Sequence, residues 1–285
     1  MLRVAAQIID GKALAQEIRA ELREQAAALQ AKGVRPGLSV FLVGDDPASA
    51  LYVKNKHRAC ESVGVFSEEH RLPVTVSQDE LINLVLAANF NPSIHGILVQ
   101  LPLPNHIDKR AIIETIAAEK DVDGFHPYNM GGLLQGNPRA VACTPKGVVK
   151  MIESTGMSIA VKRAVVVGRS QIVGKPAAML LLERHATVTI CHSRTQDLAG
   201  RCREADILVV AAGKAKMIDA AMVKPGAVVI DVGMNLVDTG FVGDVDFETV
   251  SKVAGWISPV PGGVGPMTIA MLLENTVEAT VRAAK

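Results

Sequence analysis

The apolar positions along the chain fall into two repeating patterns. Short continuous runs at Leu38 to Val43, Gly96 to Val99, Ala164 to Val167, Thr187 to Cys191, Ile207 to Ala211 and Val228 to Val232 predict strands. Their apolar continuity predicts parallel strands covered on both faces. Between them, Gly11 to Gln30, Asp79 to Asn89, Lys146 to Glu153 and Gly174 to Arg184 read as helices. This alternation predicts a doubly wound α/β protein. A last helix, roughly Pro266 to Ala284, sets Met267, Ala270, Met271, Leu273 and Val277 at helical spacing, with Pro266 suited to its first turn. The densest loop chemistry lies between Asp121 and Pro145, ahead of a fresh strand, helix, strand run, so a domain boundary is expected near Cys143.

Length and charge narrow the classes. With 285 residues, 49% of them hydrophobic, the chain can bury a sizeable core and is expected to form about two domains. Lys and Arg total 30 against 29 Asp and Glu, so no net field draws the protein to nucleic acid or an anionic membrane, and any anion site must be local. Aromatic residues make up 3%, too few for a base-stacking platform. Cys60, Cys143, Cys191 and Cys202 form no CxxC pair and sit mostly in apolar runs. They read as buried thiols in a reducing compartment, and no metal site is expected. No signal peptide or membrane span is recognisable, so a cytoplasmic protein is expected.

In AVVVGRSQIVGKP, Ala164 to Pro176, an apolar strand enters Gly168 and a loop through Ser170 to Gly174, where a helix begins. Glycines let the backbone approach a pyrophosphate, and a helix N-terminus offers N–H groups and partial positive charge. Ser170 stands where the common GxGxxG fingerprint has its middle glycine, and the loop is one residue longer. Were this loop to stand by itself, a strand-to-helix turn with packing glycines would be a serious rival. The next strand ends in His192, Ser193 and Arg194, where an NAD enzyme usually carries an acidic residue. A hydroxyl and a cation suit a 2′-phosphate, with Arg169 approaching from the other side, which favours NADP. Either arginine also reads as a solvated surface charge.

Tyr52 and Lys56 lie four residues apart in SALYVKNKHRACESVG and share one face of a helix. A buried lysine beside a tyrosine can donate and accept protons, because burial lowers its pKa. Taken alone, the run Lys54, Lys56, His57, Arg58 reads as a solvated face. In GILVQLPLP, Gly96 to Pro104, a strand ends in Gln100, where open α/β sheets bind ligands. KDVDGFHPYNMG, Lys120 to Gly131, carries Asp123, which can pair with an N–H-rich ring, and Asp121, which can as easily cap a turn. PVPGGVGPMT, Pro259 to Thr268, is too elaborate for a simple connection.

These stretches, YVKNK, GILVQLPLP, KDVDGFHPYN, SPVPGGVGPMT and VVVGRSQIVGKP, resemble in order the bifunctional methylenetetrahydrofolate dehydrogenase/cyclohydrolase family, over nearly the whole chain. The resemblance implies roles: Lys56 as catalytic lysine, Tyr52 stacking on the folate ring, Gln100 hydrogen-bonding Lys56, and Asp123 gripping the pterin. It implies Gly262, Gly263 and Pro266 in a loop over the substrate, and Gly168, Arg169, Ser170 and Ser193 as NADP contacts, with Arg194 added from its position. The implied fold is an amino-terminal α/β catalytic domain, residues 1–143 plus 267–285, and a Rossmann-like dinucleotide domain, residues 144–266, with a cleft between them. A homodimer is implied, and a formyltetrahydrofolate synthetase domain is not expected. The implied activity is NADP-dependent oxidation of 5,10-methylenetetrahydrofolate to the methenyl form, then hydrolysis to 10-formyltetrahydrofolate. The rivals are an NADP dehydrogenase acting on another small metabolite and a non-catalytic dinucleotide-binding regulator.

Overall fold

The computed structural model describes residues 5–238 and 240–284. In chain order they form β1 (Gln7–Ile8), α1 (Gly11–Gln30), β2 (Gly37–Val43), α2 (Pro47–Val63), β3 (Phe66–Leu72), α3 (Gln78–Phe90), β4 (Gly96–Val99), α4 (Lys109–Thr115) and α5 (Pro127–Leu134). After α6 (Cys143–Glu153) come β5 (Arg163–Val167), α7 (Gly174–Glu183), β6 (Thr187–Cys191), α8 (Leu198–Arg203), β7 (Ile207–Val210), β8 (Val228–Asp231), β9 (Asn235–Val237), β10 (Gly240–Val242), α9 (Phe247–Val250), β11 (Trp256–Ile257) and α10 (Val264–Ala283). The α/β class read from the sequence is the one observed. Among the described residues, no helix is long and apolar enough to cross a membrane.

The chain divides into two compact units. A large-sheet unit holds the described residues through Ala15 with Thr144–Thr268, and a small-sheet unit holds Gln16–Cys143 with the residues from Ile269 onward. The expected division gave all of residues 1–143 to one domain. Here β1 pairs in parallel with β11, Gln7 opposite Trp256, and that pairing brings the first described residues into the large sheet.

The small sheet has the order β3-β2-β4, all parallel. Every residue of β2 is buried, as its unbroken apolar run requires of a strand covered on both faces. Phe41 and Val43 pack with Leu81 and Val85 of α3, Ile97 of β4 and Ile112 of α4. The sequence FSEEHRL of β3 has no apolar run because it is an edge strand, half-open to water along its length. The large sheet runs β1-β11-β8-β7-β5-β6, again all parallel. β5, β7 and β8 bury nearly all their residues, whereas β6 lies at the edge and buries only Cys191. β9 and β10 form a separate antiparallel pair.

Both sheets reverse their strand order beside their first long strand. In the small sheet β2 has β3 on one side and β4 on the other; in the large sheet β5 has β6 and β7. Open α/β sheets bind ligands beyond the carboxyl ends of the strands at such a reversal.

Candidate functional site

The reversal in the small sheet carries a lysine buried in a helical stripe. α2 starts sharply: the Asp46 side chain accepts from Ser49 N at 2.8 Å, and Pro47 fills the first turn. Val53, Lys56, Cys60 and Val63 lie on one face of this helix and all are buried. Lys56 is only 5% exposed, so it occupies a slot that the helical period reserves for an apolar side chain. Lys54 and Arg58 stay exposed, so the basic run separates into solvated charges and one inward cation.

Three of the expected partners meet that cation. Lys56 Nζ donates to Gln100 Oε1 at 3.1 Å and sits 4.5 Å from the centre of the Tyr52 ring. Gln100 is fixed on its other side, because its Nε2 donates to Leu101 O at 2.7 Å and its backbone N to Phe41 O at 2.8 Å. The amide oxygen is therefore the end left to face the lysine. Burial pushes the Lys56 pKa below the ordinary lysine value, opposed by the charge of Asp123. Burial raises the Asp123 pKa to about 6, opposed by the Lys56 cation. Cys60, one turn further along α2, is pushed up to about 12 by burial and stays a thiol.

The two aspartates of DVDG divide the labour. Ile97 N donates to Lys120 O at 2.7 Å, and Ile97 bridges Asp121 in parallel, so this loop leaves alongside β4. Asp121 is buried and accepts from Gly124 N, Phe125 N, His126 N and Asn129 Nδ2 at 2.8–3.3 Å. It organises the turn, which leaves Asp123 as the loop's carboxylate electrostatically coupled to Lys56. Lys120 anchors the loop's start by donating to Ala88 O, Asn89 O and Asn91 O at the carboxyl end of α3, where helix carbonyls lack partners.

One residue that sequence reasoning passed over locks this loop from a distant part of the chain. Asn275 of α10 is fully buried and its Nδ2 donates to Val122 O at 2.8 Å and Val141 O at 2.9 Å. The signal was a polar side chain within the buried stripe of an apolar helix. Cys143 adds a thiol donor to Val122 O at 3.3 Å and lies 3.9 Å from Asp123 Oδ1.

The reversal in the large sheet carries the glycine loop. A side chain on Gly168 would run into the carbonyl of Ala211, at the end of neighbouring β7, and its φ of +134° also favours glycine. Ser170 Oγ accepts from Val173 N at 3.1 Å and Gly174 N at 3.3 Å, so this hydroxyl shapes the entry to α7. Arg169 and Ser170 are exposed. After β6, His192 N donates to Thr195 Oγ1 and Arg194 N to His192 Nδ1, a turn that leaves Ser193 and Arg194 exposed. Gly168 N donates to Cys191 O at 2.8 Å, which joins the two loops. A narrow glycine approach, a helix start and flanking cations fit a dinucleotide phosphate.

Gly262, Gly263 and Pro266 lie elsewhere in this unit. Gly262 and Gly263 follow β11 in a turn that accepts Lys12 N on Gly262 O at 3.1 Å, and Pro266 sits in the first turn of α10. That helix begins at Val264, ahead of the expected Pro266.

Two family models match successive parts of the chain. Residues 9–123 match the catalytic domain of the tetrahydrofolate dehydrogenase/cyclohydrolase family, and residues 142–284 match its NAD(P)-binding domain. A protein of Moorella thermoacetica named bifunctional protein FolD is 61% identical over 97% of this chain and 99% of its own. The bifunctional methylenetetrahydrofolate dehydrogenase/cyclohydrolase of Campylobacter jejuni superposes with a TM-score of 0.95 at 49% identity, covering 98% of this chain and 99% of that one. The Trypanosoma brucei enzyme, solved with NADP cofactor and inhibitor, gives 0.95 at 42% identity over 99% of both chains.

Proposed function

The chain belongs to the tetrahydrofolate dehydrogenase/cyclohydrolase family, and from that premise we propose how its residues share the two reactions of folate one-carbon metabolism. The protein oxidises 5,10-methylenetetrahydrofolate to the methenyl form and hydrolyses that to 10-formyltetrahydrofolate, with NADP as the oxidant. When bound, NADP would supply the hydride acceptor for the methylene carbon. Gly168, Ser170 and the start of α7 hold its pyrophosphate, and Arg169, Ser193 and Arg194 hold its 2′-phosphate.

Oxidation leaves a cation shared by two folate nitrogens, so the protein need not move a proton in that step. Hydrolysis does need one moved: water adds to the methenyl carbon, a proton leaves the oxygen, and the C–N bond to the ring nitrogen breaks as that nitrogen is protonated. Lys56 is the group for both transfers: its lowered pKa makes the neutral amine more accessible than in an ordinary lysine, the amine takes the proton from the oxygen, and the ammonium so formed gives a proton to the nitrogen. Gln100 Oε1 holds Nζ in place, and Tyr52 offers its ring to both the ammonium and the flat substrate. Asp123 pairs with the N–H groups of the pterin. Gly262, Gly263 and Pro266 complete the substrate loop.

The observation carrying this reading is the buried Lys56 held at 3.1 Å by Gln100. Its test is an assay at neutral pH with 5,10-methylenetetrahydrofolate and NADP that follows NADPH and the methenyl product together by their absorbance without an acid quench, because acid would close 10-formyltetrahydrofolate back to the methenyl cation. NADPH without methenyl accumulation supports both reactions, accumulation leaves only the oxidation, and silence refutes the reading. We infer further that the protein is a cytoplasmic homodimer: its four cysteines are free and buried, and the β9–β10 hairpin exposes Leu236 and Phe241. Sedimentation at twice the monomer mass is the expected result.

A further inference from the structure

The sequence from Asp231 to Asp244 holds two buried carboxylates with no part in the reactions above. Asp231, at the end of β8, accepts from Gly233 N, Asp244 N and Val245 N at 2.9–3.0 Å, while its own N donates to Ser258 Oγ. This fixes the backbone at Asp244. Asp244 in turn is 0% exposed and accepts from Ala212 N at 2.6 Å, Gly213 N at 2.8 Å, Lys214 N at 2.9 Å and Asn235 Nδ2 at 2.9 Å. A side chain on Gly243 would collide with the Asp231 carboxylate, and one on Gly233 with that of Asp244.

Three successive amides converging on one point form an anion-binding concavity. This one lies just after β7, beside Gly168 at the reversal of the large sheet, where a dinucleotide phosphate would otherwise find a second cradle. Here the anion is the protein's own. In a trans peptide the carbonyl points opposite to the following N–H, so the carbonyls of Ala211, Ala212 and Gly213 point away from Asp244. Ala212, Gly213 and Lys214 are exposed, and this stretch therefore offers acceptors to whatever lies on it.

We propose that Asp244 is a positioning residue of the dinucleotide site, filling the amide concavity at Ala212 to Lys214 so that this wall accepts hydroxyl or amide donors and phosphate is left to the β5–α7 loop. The inference rests on the NADP reading given above. It deepens that reading by assigning opposite chemical preferences to the two sides of one reversal.

Calorimetric titration of Asp244→Asn with NADP, and separately with inorganic pyrophosphate, tests it. Loss of the carboxylate should raise the NADP Kd about tenfold. Pyrophosphate should bind as well as to the parent protein, or better, because an internal anion has gone. Hydrolysis of methenyltetrahydrofolate, assayed without dinucleotide, should stay within about twofold. Unchanged NADP affinity would overturn the proposal, as would parallel loss of NADP, pyrophosphate and hydrolysis, which marks a merely structural residue. If Asp244→Asn does not fold, Asn235→Ala decides, with the same pattern at about threefold. A parent protein that fails to bind NADP would instead sink the cofactor reading itself, and this inference with it.

Discussion

The two sheets reverse in the same way and build opposite kinds of site. Beyond the small sheet the chemistry is held by side chains: a buried ammonium, an amide, a ring and a carboxylate, with Lys56 and Asp123 moved from their ordinary pKa by burial. Beyond the large sheet it is held by backbone, in glycine approaches and amides already pinned by Ser170 and Asp244. A topological switch point fixes where a ligand lies, and the residues spliced onto it decide whether that place moves protons or only holds a charge.

The sharpest way to break this contrast is Lys56→Met. Hydrolysis should fall by about 10²–10⁴-fold, the usual share of a positioned acid or base, while part of the dehydrogenase activity survives. Stopped assays of each step check it, and equal losses would mean that the lysine serves both reactions alike.

Next in size is a pH effect. Burial raises Asp123 from an ordinary value of 3.8 to about 6, so the folded protein favours the protonated carboxyl. The stability this gives is present below pH 3.8 and is lost as pH rises through about 6. Substrate capture through the carboxylate should run the other way, with kcat/KM for hydrolysis climbing across the same window. Asp123→Asn should flatten that limb of the profile; a limb that persists would assign it to another group.

On the backbone side the expected effects are smaller and fall on binding. Arg169→Ala should weaken NADP about tenfold relative to NAD, the loss of one charge-assisted contact. Equal loss for both dinucleotides, measured by titration, would remove Arg169 from the 2′-phosphate. Smallest of all is Tyr52→Phe, which keeps the ring under Lys56 and should change the KM for folate about two- to threefold. An unchanged kinetic profile would reduce Tyr52 to packing.

Much of this was legible in the chain. Every strand read from a continuous apolar run is present: β2, β5, β7 and β8 are central parallel strands that must be apolar on both faces, while β4 and β6 end their sheets. The strands that escaped notice, β1, β3, β9, β10 and β11, are very short or, like β3, open to water along one edge. The buried lysine was ambiguous because its neighbours Lys54 and Arg58 are ordinary solvated charges, and only the placement of Val53 and Cys60 shows which way the helix faces. Asn275, Asp231 and Asp244 had no visible role, since each binds backbone atoms supplied by other stretches of the chain. No local pattern reports partners that the fold brings from 13 to 153 residues away.

The grip of Asn275 on Val122 and Val141 also ties one stretch of the chain to another made much later. The loop bearing Asp123 is synthesised early, but its clasp is made only after the whole of Thr144–Thr268 has emerged. The loop's final shape therefore waits on α10, whose Asn275 is made 134 and 153 positions after the carbonyls it holds.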